Sequence, residues 1–366
     1  MKITGIIFSN TKDIAMGELT RKRATASLPI GGRYRLIDFM LSNLVNSGIH
    51  SVGVLTKYNY RSLLDHLGSG SEWDLDRKNG GLFILPPFTS VDQISQWGSL
   101  EAMYNAIPFL KRVNSEFVIL CDASVVCKIN FDEVVEHHVE SGKDVTIVVK
   151  SESEDYKCDK DDIAVETKDG EVKEIFVGLR GSANNPVGTG IYVMARDMLT
   201  NVVETYVSKG RYNFEKDFLQ SEFVSRNISV SIFEFSGTVL RNKDPESYFK
   251  NNLMLMSPDI RNEFFGSELP IFTKVRNEVP TIYGERSDVS DCFVADGCRI
   301  SGKAKNSVIF RDVTLEEGAS VQNCIIMQGS KICSGARVKN AIVEKNTFVS
   351  GDAFFSGAEN SPVIVK

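Results

Sequence analysis

Apolar residues recur at regular six-residue steps through the last quarter of this chain, and that spacing is its strongest constraint on folding. The series is Ile309, Leu315 and Val321, then Ile326, Ile332 and Val338, then Val343 and Val349. Because every third step is five residues, the pattern repeats every seventeen residues, and glycines fall between the apolar positions. The spacing predicts a parallel β-helix of hexapeptide repeats, with an antiparallel sandwich as the alternative.

Strand-like and helix-like segments alternate through the first two thirds of the chain. Strands are predicted at residues 3–8, 51–56, 117–121 and 145–149, and helices at residues 36–47 and 131–139. This alternation predicts an α/β domain with a mostly parallel sheet. Ligands of such sheets bind beyond the carboxyl ends of the strands, where the loop at 10–13 and the segment at 122–124 are expected.

The two patterns give a division of the chain into domains. We predict an α/β domain at residues 1–260, a linker at 261–285 and a β-helix domain at 286–366. The linker is placed by Pro270 and Pro280, which flank a stretch without periodicity.

Bulk composition excludes several classes of function. The 366 residues carry a net charge of −6, which argues against nucleic acid as the main partner. No apolar run approaches the roughly 20 residues of a membrane span, and the first apolar run is too short for a signal peptide. Seven irregularly spaced cysteines are typical of reduced thiols, so we expect a cytoplasmic protein with no membrane partner.

Several motifs together resemble one family of enzymes. They are Leu19-Thr20-Arg21-Lys22-Arg23-Ala24, the run from Pro29 to Asp38, Trp73-Asp74-Leu75-Asp76-Arg77, Gly190-Ile191-Tyr192-Val193 and Ser247-Tyr248. In this order they resemble the bacterial glucose-1-phosphate adenylyltransferase (ADP-glucose pyrophosphorylase) family. The resemblance implies a Rossmann-like nucleotidyltransferase domain followed by a left-handed parallel β-helix.

The same resemblance implies that the magnesium site of the family is missing. Family members hold Mg²⁺ with two aspartates, at positions that correspond here to Ser124 and Arg241. Hard cations need carboxylate oxygens, and an arginine repels them. Asp122, two positions before Ser124, is the alternative ligand. We therefore expect no cofactor in this chain, with Mg²⁺ only in a catalytic partner.

Other family positions that hold phosphate are also changed. The glycine-rich turn of the family is replaced by Asn10, Thr11, Lys12 and Asp13, its arginine by Ala15, and a following lysine by Thr25. The lysine that holds the sugar phosphate falls at about Val177-Gly178-Leu179, so its position corresponds to Gly178. The resemblance is thus to the non-catalytic second subunit of the family (the GlgD type), with little or no activity alone.

Basic residues remain where the family binds allosteric sugar phosphates and nucleotides. The candidates for effector binding are Lys22, Arg23, Arg33, Arg35, Arg337 and Lys339. Arginine and lysine suit phosphate, although a solvated basic face is the alternative. The resemblance also implies a catalytic partner subunit, in a heterotetramer.

Three rival functions stay open at this point. The chain could be a weakly active sugar-phosphate nucleotidyltransferase, or a scaffold without any ligand. An acyltransferase of the hexapeptide-repeat type is disfavoured, because all four histidines precede the β-helix.

Overall fold

The computed structural model describes residues 1–57, 59–87, 99–153, 156–158, 162–178 and 185–366. The chain forms two compact units. The sheet unit consists of Met1–Thr11, Phe39–Tyr60 and Leu67–Val239, and the β-helix unit consists of Lys12–Asp38, Arg61–His66 and Leu240–Lys366. The predicted domain boundaries at residues 260 and 286 stay a prediction. Within the described ranges, no helix has both the length and the apolar character that crossing a membrane requires.

In chain order the strands are β1 (Ile3–Phe8), β2 (Pro29–Ile30), β3 (Tyr34–Arg35), β4 (Ser51–Leu55), β5 (Gly81–Leu85), β6 (Phe117–Asp122), β7 (Val125–Cys127), β8 (Val145–Lys150), β9 (Ile163–Lys168), β10 (Glu171–Val177), β11 (Val187–Ala195), β12 (Val230–Glu234), β13 (Val239–Arg241), β14 (Ile282–Tyr283), β15 (Asp288–Val294), β16 (Arg299–Ile300), β17 (Lys303–Ile309), β18 (Thr314–Leu315), β19 (Ser320–Ile326), β20 (Lys331–Ile332), β21 (Arg337–Val343), β22 (Phe348–Val349), β23 (Phe354–Ser356) and β24 (Val363–Val365). The α-helices are α1 (Asp13–Met16), α2 (Leu36–Asn46), α3 (Arg61–Leu67), α4 (Ser99–Tyr104), α5 (Ile107–Arg112), α6 (Phe131–Ser141), α7 (Arg196–Ser208), α8 (Ser221–Val224), α9 (Pro245–Met254) and α10 (Pro258–Phe265).

The sheet unit is built on parallel strands in the order β6-β1-β4-β5, extended past β6 by the antiparallel strand β11. Strand β8 pairs with β11 antiparallel and with β12 parallel, while β9 and β10 form an antiparallel pair. The predicted strands at 3–8, 51–56, 117–121 and 145–149 and the helices at 36–47 and 131–139 are confirmed within two residues at each end. These strands are near-continuous apolar runs because both of their faces are covered.

The register of this sheet brings two predicted site segments together. Phe8, the last residue of β1, pairs with Asp122, the last residue of β6. Because the two strands are parallel, the segments that follow them leave the same edge of the sheet. Residues 10–11 and 122–124 therefore meet at the carboxyl ends, as the sequence predicts.

The β-helix unit contains the seventeen-residue repeat that the sequence predicts. Parallel pairing joins Lys303 to Ser320 and Ser320 to Arg337, so each coil lies one repeat after the previous one. The eight apolar positions from Ile309 to Val349 are all at most 2% exposed. This arrangement is consistent with the predicted left-handed β-helix and excludes the antiparallel sandwich. Residues 270–281 have no regular secondary structure, whereas the end of α10 and the whole of β14 lie within the predicted linker at 261–285.

An asparagine ladder joins successive coils of the β-helix. Asn306 donates to Asn323 over 2.9 Å, Asn323 donates to Asn340 over 3.1 Å, and all three have positive φ angles. Asparagine tolerates this left-handed conformation better than other non-glycine residues, because its short side chain bonds locally. The repeat therefore fixes turn geometry as well as the apolar core.

Replacing the central asparagine is expected to destabilise the β-helix unit. Asn323→Ala removes two side-chain hydrogen bonds and places alanine at a φ of 50°. We expect a loss of about 2 kcal/mol in the free energy of unfolding, measured by chemical denaturation. The neighbouring exposed Gln322→Ala is the matched control, with an expected loss below about 0.5 kcal/mol. Equal losses for the two variants would contradict the role of the ladder.

The N-terminal segment Lys12–Asp38 packs within the β-helix unit. The Gly31 backbone N–H donates to Asn252 Oδ1 of α9 over 3.1 Å. The rings of Tyr34 and Phe265 stack with their centroids 5.0 Å apart. The basic residues of this segment therefore share one compact unit with the β-helix, although some 240 residues separate them in sequence.

Candidate functional site

The loop after β1 is held by side chains where the resembling family has glycines. Asn10 is 5% exposed, and its Oδ1 accepts hydrogen bonds from the Lys57 backbone N–H over 2.9 Å and from the Ser9 hydroxyl over 2.6 Å. The Ser9 hydroxyl also lies 2.6 Å from the Leu55 carbonyl. A glycine turn presents bare backbone N–H groups to a phosphate, whereas here a buried side chain fills the turn.

The carboxylate of Asp122 is hydrogen-bonded to this loop and to its own strand end. Its Oδ1 accepts one hydrogen bond from the Thr11 hydroxyl over 2.8 Å and another from the Ser124 backbone N–H over 2.7 Å. Ser124 itself is 3% exposed. Thr11 and Ser124 both occupy altered family positions, and both bond the carboxylate that was the alternative metal ligand.

A second pair of altered positions bonds within the β-helix unit. Asp13 Oδ1 accepts hydrogen bonds from the backbone N–H and from the hydroxyl of Thr25, at 2.8 and 2.7 Å. By the resemblance to the family, Asp13 corresponds to a glycine and Thr25 to a lysine. The carboxylate is therefore satisfied by the residue that takes the place of a phosphate-binding cation.

The remaining altered positions are Ala15, Gly178 and Arg241. Ala15 lies on α1, and Arg241 ends β13, where its backbone carbonyl accepts from Asn251 Nδ2 over 2.9 Å. The Gly178 backbone N–H donates to the Asp162 carbonyl, and Leu179 lies outside the described residues. No group of three or more His, Cys, Asp or Glu side chains in the described ranges has the geometry of a metal site.

A cavity of about 790 Å³ lies entirely within the β-helix unit. Eleven basic side chains and three carboxylates are found among the described residues that line it. The basic ones are Arg21, Lys22, Arg23, Arg33, Arg35, Arg61, Lys274, Arg276, Arg311, Lys345 and Lys366. We call this space the basic cavity. Such an excess of positive charge in a concave site attracts anions.

The basic cavity brings together four of the six candidates for effector binding. Lys22, Arg23, Arg33 and Arg35 line it, because they lie on the N-terminal segment that packs within this unit. The other two candidates, Arg337 and Lys339, are exposed on β21 and do not line the cavity.

The cations of the cavity differ in their partners. Arg35 donates to the Ser62 carbonyl over 2.6 Å, and Arg23 bonds Glu344. Within the described ranges, six cavity cations have neither a side-chain hydrogen bond nor an ion pair with a carboxylate: Lys22, Arg33, Arg61, Arg276, Arg311 and Lys345. The Nε of Arg311 is buried without an acceptor. A buried donor without a partner is costly, so it marks a position where a ligand oxygen would stabilise the site.

The electrostatics of the cavity indicate uncompensated positive charge. Burial lowers the pKa of Arg35 to about 10, and the neighbouring Arg23 and Arg276 act in the same direction. Partial burial also lowers the pKa of Lys345, again with contributions from Arg35 and Arg276. The pKa of Arg311 is lowered by burial and then by Arg33 and Arg276. Burial is the larger cause of each shift and the neighbouring cations are a smaller one, and a bound anion would act in the opposite direction.

Several of the cavity cations were not predicted from the sequence, although the seventeen-residue period indicates two of them. Arg311 and Lys345 are separated by two seventeen-residue repeats, with Gln328 midway between them, and all three line the cavity. The period that located the apolar core therefore also places these side chains in one column of the β-helix. Arg61, Lys274 and Arg276 had no comparable pattern.

Two family models match the chain. A model described as nucleotidyl transferase matches residues 16–237. A model described as GlmU-like, C-terminal hexapeptide, matches residues 278–356. The first match alone covers more than half of the chain.

The chain is also similar to proteins of glycogen biosynthesis. The glycogen biosynthesis protein GlgD of Bacillus subtilis is 32% identical over 321 residues, which are 88% of this chain and 83% of that protein. The GlgD protein of Geobacillus stearothermophilus is 33% identical over 321 residues, 87% of this chain and 83% of that protein. A glucose-1-phosphate adenylyltransferase of Bacillus mycoides is 29% identical over 334 residues, 90% of this chain and 88% of the enzyme.

Proposed function

We propose a function from one premise: the chain belongs to the nucleotidyl transferase family, in the group related to glycogen biosynthesis that contains GlgD proteins and glucose-1-phosphate adenylyltransferases. Our proposal is that it is a non-catalytic subunit that regulates or stabilises glucose-1-phosphate adenylyltransferase. That enzyme converts ATP and glucose 1-phosphate to ADP-glucose and pyrophosphate. The chain would assemble with a catalytic homologue, in a heterotetramer. All seven cysteines are free thiols, which supports a cytoplasmic location.

One observation carries the non-catalytic part of the proposal: altered family positions bond to each other or to the remaining carboxylate. Thr11 and the Ser124 backbone occupy Asp122 Oδ1, and Thr25 occupies Asp13 Oδ1. An active site that had merely lost its ligands would leave polar groups unpaired. These contacts instead support a loop that is stable without substrate.

The residues present do not fit the Mg²⁺ that the family implies. Mg²⁺ is held by one or two carboxylates, and Asp122 offers a single carboxylate whose Oδ1 already accepts two hydrogen bonds. Arg241 stands at the other ligand position of the family. We therefore assign no catalytic step to this chain and place the metal in the catalytic partner.

The basic cavity supports the regulatory part of the proposal. Its unpaired cations offer charge-assisted hydrogen bonds, which suit the phosphate groups of a sugar phosphate or a nucleotide. An effector bound there would contact both the N-terminal segment and the β-helix. Binding would then fix the position of residues far apart in sequence.

Removing two cavity arginines is expected to weaken anion binding. For Arg33→Ala with Arg311→Ala, we expect at least about tenfold weaker binding of inorganic pyrophosphate to the isolated chain, measured by titration calorimetry. The matched control is Arg337→Ala with Lys339→Ala, which removes the same charge from β21 outside the cavity. Unchanged binding in the first variant would contradict the proposed effector site, and a loss in the control would move the site to β21.

Assembly is tested by co-purification with a tagged glucose-1-phosphate adenylyltransferase from the same source. A stable complex of fixed stoichiometry is expected. If the chain failed to bind the enzyme and catalysed the reaction itself, it would be a sugar-phosphate nucleotidyltransferase of unusual sequence. If it formed the complex but bound no anion, it would be a structural scaffold.

A further inference from the structure

A carboxylate lies among the cations of the basic cavity. Glu344 lines the cavity with a side chain that is 13% exposed, and its Oε2 is 2.5 Å from Nη2 of Arg23. Its other oxygen, Oε1, is buried and has no hydrogen-bond partner in the part of the chain that the structure describes. A shielded carboxylate with an unpaired oxygen carries an uncompensated desolvation penalty. Its presence in the cavity therefore indicates a functional role.

The backbone of Glu344 is firmly held. It directly follows β21, whose last residue Val343 is fully buried. The Glu344 backbone N–H donates to the Val365 carbonyl over 2.8 Å, and its own carbonyl accepts from the Ser330 hydroxyl over 2.8 Å. The β-helix therefore fixes the backbone that carries this carboxylate into the cavity wall.

Arg23 depends on this carboxylate for its charge partner. Its Nη1 is 3.6 Å from the sulfur of Met327, which is a weak acceptor. Among the described residues, Glu344 is the one carboxylate that pairs with Arg23. The arginine thus has donors that a better acceptor could take over.

We propose that Glu344 is an internal competitor for the anion of the basic cavity. It holds Arg23 when the cavity has no ligand, and an entering phosphate group must take the guanidinium from it. This inference rests on the proposed effector site and names its regulation. Phosphate displaces Glu344 from Arg23 because it carries more negative charge and more acceptor oxygens than a carboxylate.

The exchange links the cavity to the β-helix. Once Arg23 bonds the ligand, Glu344 is left shielded and without its cation, which is a strongly unfavourable state. The Glu344 side chain then has to change its conformation at the end of this coil. Ligand binding therefore changes the β-helix through a single carboxylate, in the manner of an allosteric coupling.

Glu344→Gln tests the proposal, because it removes the charge and keeps the shape. We expect this variant to bind inorganic pyrophosphate about tenfold more tightly than the parent chain by titration calorimetry. Its melting temperature without ligand should fall, and pyrophosphate should raise it more than in the parent. Glu317→Gln is the matched control, since Glu317 pairs with Arg286 over the same 2.5 Å but on the exposed surface. The control should bind pyrophosphate as the parent does.

The possible outcomes separate this inference from the function it rests on. If the parent binds pyrophosphate and Glu344→Gln binds it equally or more weakly, Glu344 is not a competitor. If the control gains as much affinity, the effect is one of net charge, and the inference fails. If the parent does not bind, the proposed effector site itself fails. If Glu344→Gln does not fold, Glu344→Asp is measured instead. This variant moves the charge away from Arg23 by one methylene, and we expect its affinity for pyrophosphate to be about threefold higher than that of the parent.

Discussion

Purified alone and supplied with ATP, glucose 1-phosphate and Mg²⁺, this chain is expected to form ADP-glucose at least about 10⁴-fold more slowly than a catalytic glucose-1-phosphate adenylyltransferase. The metal in such a reaction stabilises charge by several kcal/mol, and each 1.36 kcal/mol is about a tenfold change in rate. Ser124 and Arg241 cannot supply the two carboxylates that would hold it. The loop at Asn10 and Thr11 removes a second contribution, the cradle for the triphosphate.

The assay needs a positive control and a restoration variant. A catalytic homologue is measured in parallel, under the same conditions. Ser124→Asp with Arg241→Asp returns the two carboxylates, but we expect it to remain within about tenfold of the parent rate, since Thr25 and Gly178 still lack the phosphate-binding lysines. Turnover by the parent above this limit, less than about 10⁴-fold below the homologue, would establish the weakly active nucleotidyltransferase instead.

Reversing two charges in the basic cavity is expected to abolish the effector response of the assembled enzyme. Arg276→Glu with Arg311→Glu turns two unpaired cations into carboxylates beside Arg33 and Lys345. Two unit charges about 6 Å apart interact by about 3 kcal/mol at an effective dielectric constant of 20. The concentration of effector that gives half of the response should therefore rise at least about a hundredfold, measured by the rate of ADP-glucose formation.

The control for this experiment carries the same change of charge elsewhere. Arg337→Glu with Lys339→Glu alters exposed side chains of β21 that do not line the cavity. Its response should match that of the unmodified assembly. An unaltered response in the cavity variant would contradict the effector site, and a lost response in the control would place the effector at β21.

Much of the fold could be predicted because its signals are local or periodic. The apolar positions from Ile309 to Val349 predict a β-helix, because inward-facing residues must recur once per side of each coil. The apolar run at residues 3–8 indicates a buried strand for a similar reason, since both of its faces are covered. In both cases the pattern itself is the physical requirement of the fold.

The contacts of the candidate site could not be predicted in the same way. Thr11 and Asp122 bond across 111 positions of sequence, and Arg23 and Glu344 across 321. Such pairs depend on strand order and on the side-chain conformations that packing leaves available. The sequence indicates Asp13 as part of an altered glycine-rich turn and Asp122 as an alternative metal ligand. The structure adds that Thr25, twelve positions further along the chain, bonds the Asp13 carboxylate, a contact that no motif indicates.

The central claim is that this chain has lost catalysis and kept regulation. It is tested most directly by titrating an effector into a catalytic glucose-1-phosphate adenylyltransferase, once without this chain and once with an equimolar amount of it. The rate of ADP-glucose formation is followed against the concentration of a sugar phosphate or nucleotide effector. We predict that the chain, inactive alone, changes the maximal rate or the half-saturating effector concentration of its partner. Identical titrations with and without the chain, together with turnover by the chain alone, would contradict it.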